Sequence, residues 1–132
     1  MILLKTDESH MEAVRKNRKH ATDGAPQNVR PGDFLLIQVT SGQPGNETRR
    51  VRYAMRFKRC YKDTTGESKR LFGKSWKYII EGDPTTFRML RRFDIEDVQV
   101  SGANYGQGVI RFAYVDPADE AEIVRRGLLD GA

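Results

Sequence analysis

The sequence predicts an α+β domain: a small, mixed, mostly antiparallel β-barrel with flanking helices. Three observations carry that expectation. FLLIQVT at 34–40 is a nearly continuous apolar run, as of a central strand buried on both faces, and VIRFAYV at 109–115 reads as the last strand. Residues 49–61 alternate for much of their length, with Val51, Tyr53, Met55 and Phe57 on one side and Arg50, Arg52, Arg56 and Lys58 on the other, around Ala54. Strand segments outnumber helical ones in the order β-α-β-β-β-(α)-β-α, which sets the helices beside a curled sheet.

The elements follow in chain order. Ile2-Leu3-Leu4 reads as a short buried strand ending at Lys5-Thr6. Ser9 to Ala21 reads as a helix capped by Ser9, with Glu12 three residues on completing a capping box. Its apolar positions, Met11, Ala13, Val14 and Ala21, form a thin stripe, while Arg15, Lys16, Arg18, Lys19 and His20 crowd the rest. Residues 22–33 are loop, and Pro31-Gly32-Asp33 is a turn into the strand at 34–40. After the alternating strand the apolar phase slips by one at Arg59-Cys60-Tyr61, the signature of a bulge or a strand end.

Lys62 to Lys74 reads as a polar excursion turning at Thr65-Gly66, and Trp76 to Glu81 as another strand. The spacing of Phe87, Leu90 and Arg91 predicts a short helix over 84–92. Ile95, Val98 and Val100 close onto the core near a turn holding Asp94, Glu96 and Asp97, and 101–108 is a glycine-rich loop. The closing strand at 109–115 leads into a helix opened by Asp116-Pro117, with Asp119, Glu120 and Glu122 near its positive end and Ile123, Val124, Leu128 and Leu129 to dock it.

One domain over residues 1–132 suits this length, which suffices for a core without disulfides or a structural metal. The apolar fraction of 38% is low, yet it is clustered and periodic, which argues against disorder. No apolar stretch approaches the roughly 18 residues of a membrane span, and the apolar run in MILLKTDESH is too short for a signal-peptide core. A lone cysteine, Cys60, with no Cys/His cluster of zinc spacing, fits an intracellular, cytoplasmic protein without a metal or other cofactor.

Charge carries the functional signal. The net charge of +5 conceals 15 Lys/Arg against 6 Asp/Glu over residues 10–74, and 3 against 8 over residues 93–132. Such asymmetry is expected when one face meets a polyanion. Catalysis finds less support. His10 and His20 lie beside no obvious nucleophile, and Cys60 ends a hydrophobic strand, as a small core residue would. Asp94, Glu96 and Asp97 could chelate a hard cation but equally suit a solvated helix start, and SGANYGQG precedes a strand where a phosphate loop requires a helix. The one constellation for a small nuclease is His20, Lys5 and Asp7. The expectation is a nucleic-acid-binding module and not an enzyme. Arg15, Arg18, Lys19, Arg50 and Arg52 are the candidates for the phosphate backbone. Trp76, bracketed by Lys74 and Lys77, leads the stacking candidates, with Tyr78, Phe72, Tyr53 and Tyr105 behind it.

The order of these pieces resembles the PUA-like superfamily, in particular its EVE and YTH branches. ILLKT looks like the first strand of those domains, VRKNRKHA like the basic, asparagine-containing segment after it, and NVRPGDFLLIQVT like the Gly-Asp turn into an apolar strand. RRVRYAMRFKRCYKD stands in place of the long barrel strand, and GQGVIRFAYVDPADEAEIV resembles the closing strand with its Pro-led acidic helix. The early aromatic of the first strand is absent, with Leu3-Leu4 in its place, and residues 62–74 have no counterpart. The resemblance implies recognition of a flipped or modified base, methylated cytosine or adenine in DNA or RNA, held in a pocket on the barrel. Carried over, it puts Lys5, Thr6 and Asn17 in the pocket, with Trp76, Tyr53 and Tyr105 as stacking surface. An unmodified structured RNA is the alternative ligand, and a partner enzyme in another chain is compatible with either.

Overall fold

In the computed structural model, residues 1–41, 48–90 and 112–115, together with Ala118, Glu120 and Ala121, are described. Seven strands form one mixed sheet: β1 (Ile2–Asp7), β2 (Lys19–Thr22), β3 (Phe34–Ser41), β4 (Thr48–Lys62), β5 (Tyr78–Gly82), β6 (Arg88–Met89) and β7 (Phe112–Tyr114). Two helices, α1 (Glu8–Asn17) and α2 (Glu67–Phe72), accompany it. The sheet runs β2-β5-β4-β3-β1-β7, with β6 on β4. Only β1 and β3 pair in parallel; every other described pairing is antiparallel. The architecture is therefore α+β, with a curled mixed sheet that forms a half-barrel where the sequence suggested a closed one.

The parallel register sets Ile2, Leu4 and Thr6 beside Leu35, Ile37 and Val39. Ile2, Leu4, Leu35 and Ile37 are buried in one cluster with Met11 and Val14 of α1, the thin apolar stripe read from the sequence. Leu3, Leu36 and Ala54, on the other face, are also fully buried. Residues 34–38 are thus covered on both sides, as the nearly continuous apolar run requires.

The 15 residues of β4 are the spine of the fold. Its first part pairs with β3 and its last with β5, and it bends between them through two register slips. At the first, Ile37 faces Tyr53 while Gln38 faces Val51, so Arg52 is an extra residue; at the second, Phe57 faces Gly82 while Arg59 faces Glu81, so Lys58 is extra. Such bulges add twist and kink a strand. The second lies one residue before the phase slip expected at Arg59. The first corrects the sequence reading. Because side chains alternate, one inserted residue moves Val51 to the face of Leu36 and Ala54, away from Tyr53 and Met55.

Three other expectations are corrected. The helix predicted over 9–21 ends at Asn17, and Arg18 turns left-handed (φ 57°, ψ 34°), its N–H bonding Val14 O at 2.8 Å. Asp7 stands at the N-cap, and Glu12 bonds Arg15 in place of closing a capping box with Ser9. The chain then continues as β2, because His20 and Ala21 are buried against Ile80 and Ile79 of β5, and tertiary burial outweighs helix periodicity there. The polar excursion at 62–74 contains α2, organised by Asp63. Its carboxylate accepts N–H bonds from Thr65, Glu67 and Ser68 and the Ser68 hydroxyl, which together hold its pKa far below the usual range. The helix expected over 84–92 is instead a 3-10 turn (Pro84–Thr86), with Asp83 accepting from Thr85 N at 3.0 Å, followed by β6. The turn at 30–33 is as read: Asp33 N bonds Arg30 O, Gly32 has φ 94°, and the turn docks on β4 through Gly32 N to Phe57 O.

Candidate nucleic-acid interface

Two ends of β4 carry cations in very different states. At the C-terminal end three cations share two buried carboxylates. Lys19 reaches Glu67 at 2.5 Å and Glu81 at 3.6 Å; Arg59 and Lys58 also hold Glu81, and the Tyr61 hydroxyl donates to Glu67 at 2.6 Å. Burial lowers the Lys19 pKa, but its bonds to Glu67 and Tyr61 prevail and raise it to about 12. Burial likewise opposes ionisation of Glu67 and Glu81, and their cationic partners hold both carboxyls below the usual range. This cluster pins α2 to β2, β4 and β5. Lys19, expected on the nucleic-acid backbone, is internally neutralised.

At the N-terminal end the Arg18 guanidinium donates to a backbone carbonyl, Arg15 O, in place of a carboxylate. The 83–90 segment runs beside β4, with Met89 opposite Tyr53 and Arg88 opposite Ala54. Alternation puts Phe87 and Met89 on the Tyr53 side. Phe87 and Tyr53 stack at 5.3 Å between centroids with an interplanar angle of 22°, and the Arg18 guanidinium lies 3.9 Å from the Phe87 centroid. Met89 is 51% exposed beside them. The Arg18 backbone is fixed from both sides, its N–H on Val14 O and its O accepting from Gly82 N at 2.8 Å. The left-handed turn that ends α1 is thus what aims this guanidinium at the aromatic pair. Arg52, the extra residue of its bulge, is exposed, and Arg15 is held by Glu12 through Nε–Oε2 at 3.0 Å. Among the described residues no carboxylate pairs with Arg18 or Arg52. Cationic side chains around a partly exposed aromatic surface suit a phosphate backbone with a base stacked on a ring.

The remaining candidates are dispersed. Thr6 is fully buried and hydrogen-bonded to His20 Nδ1 at 3.2 Å, inside the core. Lys5 is half-buried on the opposite face of β1, opposite Gln38. The Asn17 amide donates to Ala13 O at 2.9 Å, which closes the last turn of α1. Trp76 is only 7% exposed, edge-on to His10 and Phe72 with Lys74 Nζ 5.4 Å from its centroid, so its faces serve packing between α1 and α2. Arg50 lies in β4 opposite Val39. Tyr105, Asp94, Glu96, Asp97 and the loop at 101–108 lie outside the described residues. Lys5, His20 and Asp7 are not assembled: Lys5 and Thr6 point to opposite faces, and Asp7 is exposed, 4.0 Å from His10. Cys60 is half-buried, and burial pushes its thiol pKa up, away from the reactive thiolate.

Phe87 and Met89 were missed by the sequence reading, although F-x-M alternation against Arg88 was available as a strand signal. No protein-family model and no curated protein matches the chain. Among the described residues, no helix is long and apolar enough to cross a membrane.

Proposed function

We propose that this protein binds nucleic acid along the N-terminal half of β4. The phosphate backbone runs past Arg18, Arg52 and Arg15, and a base stacks at Tyr53 and Phe87. One observation carries the reading. Lys19, Lys58 and Arg59 at one end of the strand share Glu67 and Glu81, whereas Arg18 and Arg52 at the other flank a stacked, partly exposed aromatic pair and meet no carboxylate among the described residues. The resemblance to PUA-like domains narrows the ligand to a flipped or modified base, with methylated cytosine or adenine as the target class. A missing methyl is worth about 1–3 kcal/mol, so discrimination of roughly tenfold to a few hundredfold is expected.

Fluorescence-polarisation binding at two salt concentrations tests this, with matched DNA and RNA oligonucleotides with and without methylation. Affinity that falls steeply between about 50 and 200 mM salt, with a preference for one methylated strand, supports the full reading. Salt-sensitive binding that favours structured RNA regardless of methylation keeps the interface and removes the modified-base assignment. No binding at low salt removes both.

A further inference from the structure

On the opposite face of β4 from Tyr53, two more arginines converge on one ring. Phe34 and Arg56 are direct cross-strand partners, and the Arg56 guanidinium lies 4.1 Å from the Phe34 centroid while its Nη1 donates to Gly32 O at 2.7 Å. Arg88 starts from the far side of β4, opposite Ala54, yet its guanidinium comes to 5.9 Å from the same ring. The small side chain of Ala54, fully buried, gives it passage across the strand. Neither guanidinium meets a carboxylate among the described residues, and Arg88 Nη1 is buried without a hydrogen-bond partner. A charged donor left unbonded in this way is unusual, because buried polar groups are nearly always paired. Two like charges gathered on one ring with a donor unused make a site that an oxyanion would complete.

We infer that Arg56 and Arg88, seated on Phe34, form a second phosphate-binding site, separated from the Arg18–Tyr53–Phe87 surface by the thickness of the sheet. The chemistry is that of a tetrahedral phosphate oxyanion. Arginine forks match its oxygens geometrically, and rotation of Arg88 about its terminal torsions turns the unused N–H toward an anion held by Arg56. Consecutive residues serve the two sites: Phe87 and Met89 face one, Arg88 the other. A strand of nucleic acid passing the β6 edge therefore meets both. The nucleic-acid version of this site rests on the function proposed above; the phosphate chemistry does not.

The test has two arms on the full chain. Inorganic phosphate is titrated while the arginine Nε–Hε resonances are followed by NMR, and oligonucleotide affinity is measured against salt. Saturable shifts of Arg56 and Arg88 are expected, with phosphate affinity at least about tenfold weaker in R88M, which keeps the apolar stem. R88K retains the charge but not the fork, and a thermal melt of each variant separates lost binding from lost folding. On oligonucleotide, R88M is expected to lower the log–log salt slope by about 0.7 to 0.9. Silent Arg56 and Arg88 resonances, or equal shifts with an acidic peptide of matched charge, would overturn the site. Saturable phosphate shifts without oligonucleotide binding would leave the site standing as one for free phosphate and sink the nucleic-acid reading. A slope reduced by an Arg18 substitution but not by R88M would keep the nucleic-acid reading and overturn the Arg56–Arg88 site as part of its interface.

Discussion

Arg18 joins two quantities that a pair of substitutions can separate. It is the one non-glycine residue with positive φ among the described residues, and its guanidinium covers Phe87. A residue with a Cβ in this region costs about 1–2 kcal/mol relative to glycine's free access to it. Arg18→Gly relieves that cost but gives up a partly exposed cation–π contact of about 0.5–1 kcal/mol and an exposed hydrogen bond to Arg15 O of about 0.5 kcal/mol, and glycine's greater chain entropy offsets about another 0.5–1 kcal/mol. The net change is a loss of about 0.5 kcal/mol, with Tm falling by no more than about 4 °C. Arg18→Ala loses the same contact and keeps the strained backbone, so it should be less stable than the glycine variant by roughly 0.4–1 kcal/mol. Both remove one phosphate contact. Each should therefore weaken oligonucleotide binding by about tenfold and lower the salt slope by about 0.7 to 0.9. Thermal melts and polarisation titrations at three salt concentrations measure everything required. Equal stability of the two variants would refute the backbone argument. Unchanged affinity in both would show that the guanidinium lies outside the interface.

Glu12 clamps Arg15 across an exposed i, i+3 pair, so Glu12→Gln should raise oligonucleotide affinity several-fold while leaving Tm within about 2 °C; a decrease would contradict an interface at Arg15. A Cβ at Gly82 would sit 2.7 Å from Met55 Cγ in a fully buried site, so Gly82→Ala should destabilise by about 1–3 kcal/mol in urea denaturation without altering the binding salt slope. The ion cluster sets a pH profile. Glu67 and Glu81 have lowered pKa values, so their contribution is complete above about pH 4.3 and is lost as the pH falls; Lys19 is raised to about 12, so its contribution is complete below about pH 10.4 and is lost as the pH climbs through 12. Glu67→Gln should lower stability by about 1–2 kcal/mol at pH 7 and flatten the Tm profile at both extremes, and an unchanged profile would show that the cluster contributes nothing to folding.

The parts legible in the sequence were those written in local periodicity. The double-sided burial of 34–40, the turn at Pro31-Gly32-Asp33 and the apolar face of α1 at Met11 and Val14 all follow from pattern alone. What escaped was decided at a distance. Nothing local says that residues 19–22 leave the helix, because the reason is Ile79 and Ile80, more than fifty residues away. The bulge at Arg52 leaves the V-R-Y-A-M alternation intact on paper, while its geometry puts Val51 and Tyr53 on opposite faces. The site suffered in the same way. Tyr53, Arg15, Arg18 and Arg52 were named from the sequence, but Lys19 could be set aside only once Glu67 and Glu81 were seen to meet it. Trp76 carried the strongest compositional signal, flanked by lysines, and packs into the body of the fold in a three-ring cluster with His10 and Phe72.

Because the carboxylates gather at one end of β4, while Arg18 and Arg52 at the other meet none among the described residues, the strand has an electrical direction as well as a chain direction. A polyanion approaching this part of the molecule feels stronger attraction at the Arg18 and Arg52 end than at the Lys19 end, where Glu67 and Glu81 offset part of the positive charge. Such polarity turns the protein before contact, and its chief effect is on the rate of productive encounter. Interior acids thus contribute to recognition from a position where they touch no ligand: by cancelling cations that would otherwise compete, they leave one orientation favoured at the moment of collision.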